Sequence, residues 1–301
     1  MKKATLILLS TSVLFSVANG LIWPYITVNM YLFESNYLEM VFVDAFPALS
    51  YILSRIWGSI SDYYGRRKPF MALGFLLGAI PLAFAGMAGD LYSFILLILI
   101  SNFFYSIGYP SFYAALGRLG GREIYGLLEA LSSIGWMVGA GLLGYVHAYW
   151  GGIGVYLTAA TIILLSIAII LILYREEREK RGDYPSLIDH LRDSLKLRIR
   201  ADPLFKYVLI AAFIAWISTY WNGPLLKIKL YLLMEESVGT YGLVMGLGAG
   251  LLSALGALLV MALARKYGGL PLLTFGLLAY SLFYPILGLV SSPLIFSIVF
   301  I

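Results

Sequence analysis

Nine apolar stretches, each long enough to cross a bilayer, follow one another along the chain. They lie at about 4–32, 38–60, 69–88, 91–116, 125–147, 153–174, 204–232, 239–264 and 270–290. A tenth opens at Pro293 and is still apolar at Ile301. About 18 apolar residues span the hydrocarbon core when helical. Lipid leaves helices and closed barrels as the only ways to satisfy the backbone. Barrel strands would alternate over about ten residues, whereas these runs are unbroken. The reading is therefore an all-α polytopic membrane protein with nine full transmembrane helices and a partial tenth. Composition agrees: 61% of residues are hydrophobic and 12% charged, about half the charge of an average soluble domain. A water-soluble fold and a disordered chain are excluded, and with no cysteine there is no disulfide framework or thiolate site.

Lys2-Lys3 before an apolar run has the look of a signal peptide. The run continues through Leu21, Ile22, Val28 and Met30, so it reads as the first span. The distribution of positive charge sets the topology. With the N-terminus cytoplasmic, 19 of the 21 Lys and Arg fall inside: Lys2, Lys3, Arg55, Arg66–Lys68, Arg118, Arg122, the cluster from Arg175 to Lys206, Arg265 and Lys266. Only Lys227 and Lys229 fall outside, where Glu235 and Glu236 make a salt-bridged rim the expectation. The basic excess is thus topological, and no nucleic-acid partner is expected. The expected location is the cell (inner) membrane, with the chain a monomer surrounded by lipid.

One long polar connection divides the chain into a six-helix bundle (1–174), a cytoplasmic linker (175–203) and a partial second bundle (204–301). In the linker, Ser186 and Asp189 have capping-box spacing. Ile188, Leu191, Leu195 and Ile199 then recur at helical spacing. That pattern predicts an amphipathic helix on the inner surface, or a solvated linker helix. The bundles echo each other: Asn19-Gly20 and Trp23-Pro24 against Trp221-Asn222-Gly223-Pro224, and Tyr64-Gly65-Arg66 against Tyr267-Gly268-Gly269. An offset near 200 implies six spans, a linker and six more. On that expectation the second half would run to roughly residue 375, and the chain stops short.

Between spans two and three the sequence reads Gly58-Ser59-Ile60-Ser61-Asp62-Tyr63-Tyr64-Gly65-Arg66-Arg67-Lys68. This resembles the G-x-x-x-D-x-x-G-R-R-K signature of the major facilitator superfamily of secondary transporters, at that family's position. Each residue has a physical use. Gly58 permits close helix approach, Gly65 a bend, and Arg66, Arg67 and Lys68 anchor the loop in the cytosol. Asp62 sits near a helix carboxyl end, where the macrodipole disfavours an anion, so it needs a cationic partner. The resemblance implies that Asp62 also engages the start of an eleventh helix and holds an inner gate shut. Gly135-Trp136-Met137-Val138-Gly139-Ala140-Gly141-Leu142-Leu143-Gly144 resembles the family's antiporter motif, departing from it at Ala140 and Leu143; the same glycines also suit plain helix packing.

Ionisable groups at mid-membrane cost about 2.5–3.5 kcal/mol on insertion scales, so each needs a reason. In span two, Asp44, Tyr51, Arg55 and Asp62 fall on a narrow helical face. They are expected to line a proton and substrate path, with Arg55 snorkelling at the inner interface and Asp44 at the outer rim as the alternative. Asp44 and Arg55 are 11 residues apart, roughly 16 Å, too far to pair. Glu129, one turn into span five, is expected to pair with Arg66, Arg118 or Arg122 near the gate, or else to carry protons. Candidate substrate contacts are Asn19, Trp23, Tyr25, Asn102, Tyr105, Tyr109, Trp136, Trp216, Tyr220, Trp221 and Asn222.

His147 and His190 lack neighbouring ligands, so no metal is expected. No phosphate-binding glycine loop or nucleophile motif appears, so neither an enzyme nor a cofactor is expected. The functional expectation is alternating access for a small molecule, coupled to protons, with efflux favoured over uptake of a sugar, organic ion or similar solute. A truncated, non-transporting chain is the remaining alternative.

Overall fold

The computed structural model describes residues 3–120, 123–176, 186–195 and 203–300. Among these there are no strands. The elements are α1 (Lys3–Leu32), α2 (Tyr37–Tyr64), α3 (Lys68–Ala85), α4 (Leu91–Gly120), α5 (Glu123–Leu173), α6 (Leu187–Leu195), α7 (Pro203–Leu233), α8 (Val238–Met245), a π-helical stretch Gly246–Leu252, α9 (Ser253–Tyr267), α10 (Gly269–Leu289) and α11 (Pro293–Phe300). Seven helical segments among the described residues are long and apolar enough to cross a membrane: α1 to α5, the joined α8–α9 and α10.

At 51 residues, α5 would rise about 76 Å if straight, far beyond a ~30 Å core. It breaks at Gly151, whose φ of 64° and ψ of −168° form a conformation essentially reserved for glycine. The two expected spans, 125–147 and 153–174, are therefore the two arms of one element. The expected span 239–264 is likewise one segment, with a π turn at its centre.

Local signals place the ends. Asn36 caps α2 by a reciprocal box: its side chain accepts the Glu39 N–H at 3.0 Å, and the Glu39 carboxylate accepts the Asn36 N–H at 2.8 Å. Gly65 ends α2 in the left-handed region (φ 62°), donating to Asp62 O at 3.1 Å, while Arg66 N–H reaches back to Ser61 O. Ser186 caps α6 as its spacing predicted, accepting the Asp189 N–H at 3.1 Å.

The core is the seam of α1 with the first arm of α5. Glycine lets backbones meet there: a Cβ on Gly139 would collide with the Val17 carbonyl, and one on Gly20 with that of Trp136. On its other side α5 meets α8, where a Cβ on Gly144 would overlap Gly239. The motif glycines of span five are thus occupied by packing. Phe75 fills the junction of α1, α3 and α4, with ring centroids 4.3 Å from Phe15 and 5.1 Å from Tyr109.

A central cavity and the α2–α3 motif as the candidate site

A cavity of about 460 Å³ lies where α1, α2, α4 and α5 face α7, the α8–α9 segment and α10. Asn19, Trp23, Asp44, Asn102, Tyr105, Tyr109, Trp136 and Tyr220 line it, joined by Ser50, Ser106, Thr219, Gly223, Lys227, Met245, Ala249 and Phe283. Helical spacing explains the contribution of α7. Tyr220, Gly223 and Lys227 stand three and four residues apart, with Thr219 four before Gly223, so they share one face of that helix.

Asp44 and Lys227 meet across this cavity. The ammonium of Lys227 donates to both carboxylate oxygens, at 2.6 and 2.9 Å. The Asp44 side chain is 11% exposed and that of Lys227 19%, so the pair is largely withdrawn from solvent. Gly223, one turn before Lys227, leaves room for the carboxylate: a Cβ there would stand 3.1 Å from Asp44 Oδ2. Sequence reading missed this partner. Lys227 does not join an outer rim with Glu235 and Glu236, because its helical face turns toward α2. Lys229, two residues on, instead donates to the carbonyls of Leu287 and Gly288 at 3.0 and 2.8 Å, where the end of α10 offers unpaired acceptors.

Around the cavity, amides and hydroxyls are tied to the frame. Asn19 Nδ2 donates to Tyr109 Oη at 3.3 Å, Asn102 Nδ2 to Ile98 O at 2.9 Å, Ser50 Oγ to Pro47 O at 2.7 Å and Ser106 Oγ to Phe103 O at 2.6 Å. Toward the ends of α1, α2, α7 and α8, the Tyr37 hydroxyl donates to the Trp221 carbonyl. Tyr241 Oη donates to Pro24 O at 3.2 Å, and the Tyr31 and Tyr231 rings lie 6.2 Å apart.

Other expected contacts lie elsewhere. Arg55 is exposed and donates to the Ser194 carbonyl of α6. It shares a face with Asp44, but three turns further along α2 that face meets α6 rather than the cavity. Trp221 is exposed, its ring edge-on to Tyr37 at 5.8 Å. Asn222 bonds back to Ser218 O at 3.0 Å and faces a groove between α7 and α10. Tyr25 packs on His147 and Tyr156. The side chains of Tyr51 and Trp216, and all of Arg122 and Ile199, lie outside the described residues. Glu129 is exposed on α5 rather than enclosed.

At the junction of α2 with α3, the motif residues form a second cluster. Asp62 pairs with Arg67 of its own motif at 2.6 Å. Arg118, at the end of α4, lies within electrostatic reach of Asp62, Arg67 and Glu176. Glu176 accepts the backbone N–H groups of Arg67 and Lys68 at the start of α3, while Lys68 Nζ donates to Leu171 O and Tyr174 O at 2.8 and 2.7 Å. Each helix end thereby receives the charge its dipole favours. Gly58 approaches Pro110 of α4, with 3.6 Å available to a Cβ. The side chain of Arg66 is exposed.

Comparison with known proteins gives one family: its description is Major Facilitator Superfamily, and the match covers residues 8–301. No curated protein matches the chain.

Proposed function

The chain belongs to the Major Facilitator Superfamily of secondary transporters, and we propose that it moves a small solute through the central cavity by proton-coupled alternating access. The carrying observation is the Asp44–Lys227 pair, which joins α2 to α7 on the wall of that cavity. Two bundles rocking about a midplane site must make and break contacts at their interface, and an ion pair there responds to protons. In this reading Asp44 takes the proton. Glu129, being exposed, is assigned to the inner side rather than to the proton path.

The proposed topology is nine full spans and a partial tenth: α1 to α4, the two arms of α5, α7, α8–α9 and α10, then α11. Positive charge supports a cytoplasmic N-terminus and an inner position for Asp62, Arg67, Lys68 and Glu176; the chain is taken to act as a monomer in the cell membrane. The contacts of Tyr37 with Trp221, Tyr31 with Tyr231 and Tyr241 with Pro24 then belong to the outer side, which this reading takes as the closed one. The domain division at 175–203 follows from the same topology.

Lys227 favours solute and proton travelling together over the efflux by antiport expected from sequence. Protonating Asp44 leaves an ammonium facing the cavity, which invites a solute rather than repelling one. The glycines that suggested antiport are accounted for by packing. Reconstituted protein with an internal pH dye tests the reading. Solutes from a panel of organic ions should drive proton movement in the native chain, and Asp44→Asn should abolish it. Undiminished proton movement in that variant would remove Asp44 from the mechanism.

A further inference from the structure

We infer that the cavity takes a small organic anion with an apolar body, its negative group bound by Lys227 in place of Asp44. This rests on the proton-carrying role proposed for Asp44. Among the described residues lining the cavity, Asp44 is the one acid and Lys227 the one amine. The other titratable groups near Asp44 are tyrosines: Tyr220 on α7, Tyr241 on α8, and Tyr105 and Tyr109 on α4; α1 contributes Asn19 and Trp23 to this wall.

Both carboxylate oxygens of Asp44 are directed at one ammonium, so a proton on Asp44 removes the whole counter-charge of Lys227. A lone buried ammonium is costly in a low-dielectric site. An anion arriving with the proton restores neutrality, because one positive and one negative charge enter together. A cation would instead compete with Lys227 for Asp44 and leave two positive charges facing one carboxylate. Proton and anion binding therefore reinforce each other, and the coupling is reciprocal. Trp23 on α1 and Trp136 on α5 offer flat apolar surface for the remainder of the molecule.

The test is a titration of purified full chain, followed by tryptophan fluorescence, with benzoate and with benzyltrimethylammonium at about pH 5.5 and 8, either side of neutrality. Benzoate should bind at least about tenfold more tightly at the lower pH. Asp44→Asn should bind it equally at both pH values, and Lys227→Met should lose it. If stranded charge prevents either variant from folding, the Asp44→Asn/Lys227→Met double variant carries no unpaired charge and should also lose benzoate. Benzoate binding that survives loss of Lys227, or binding of the cation alone, would overturn the inference. Proton movement driven by the cation would then leave proton coupling intact while removing the anion site. Lys227-dependent benzoate binding with no pH dependence would support the anion site and remove the proton role of Asp44.

Discussion

Asp44 on α2 and Lys227 on α7 stand 183 positions apart in sequence and 2.6 Å apart in space, and they form an ion pair between these two helices at the cavity wall. Removing one partner of a buried pair costs about 3–5 kcal/mol, whereas replacing both is often neutral. Lys227→Met should therefore destabilise the protein by roughly 3 kcal/mol, and adding Asp44→Asn should recover most of that loss. Thermal unfolding in detergent measures both; equal stability of the single and double variants would show that the pair is not energetically coupled.

Gly139 lies at a close approach of α1 to α5. Gly139→Val should prevent stable assembly, since the new side chain meets the Val17 carbonyl, a main-chain atom with no room to yield. Gly256→Ala is the control: nothing lies within 4 Å of a Cβ there, and alanine gains up to about 1 kcal/mol in a helix. Size-exclusion profiles after expression distinguish the two.

Glu176 joins the end of α5 to the start of α3. Charged hydrogen bonds contribute about 1.5–3 kcal/mol, so Glu176→Ala should loosen the start of α3. Hydrogen exchange at the Arg67 and Lys68 amides should quicken, while exchange near Leu32 at the end of α1 remains unchanged.

Asp90 begins α4 outside the membrane. Hydrogen bonds from the Ser93 hydroxyl and backbone N–H hold its carboxyl below the ordinary value. A depressed carboxylate stabilises the fold above its unfolded-state pKa, near about 3.9, and that contribution is lost as pH falls through the folded-state value. The advantage of the native chain over Asp90→Ala should be constant above about pH 5 and vanish in stronger acid, as followed by unfolding midpoints across pH.

Much of the architecture was legible because hydropathy and helix ends are local properties. The helical, apolar character of the chain, the Ser186–Asp189 cap and the signature around Asp62 all depend on neighbours within a few residues. The facing of helices is different. Asp44 and Arg55 share a helical face, yet one meets α7 and the other α6, because a face says nothing of what stands opposite at each height. In sequence, Lys227 points to the rim because Glu235 and Glu236 follow within nine residues. The available signal was its spacing from Tyr220 and Gly223 on one face, which a reading based on nearby acids passed over.

Gly151 allows the two arms of α5 to join with almost no intervening loop. A hairpin without slack cannot let one arm slide while the other stays still. The first arm touches α8 through Gly144, and the second holds Tyr156 against Tyr25 and Phe94. A displacement imposed on the seam with α8 would therefore reach, through the Gly151 joint, the contacts that Tyr156 makes with α1 and α4.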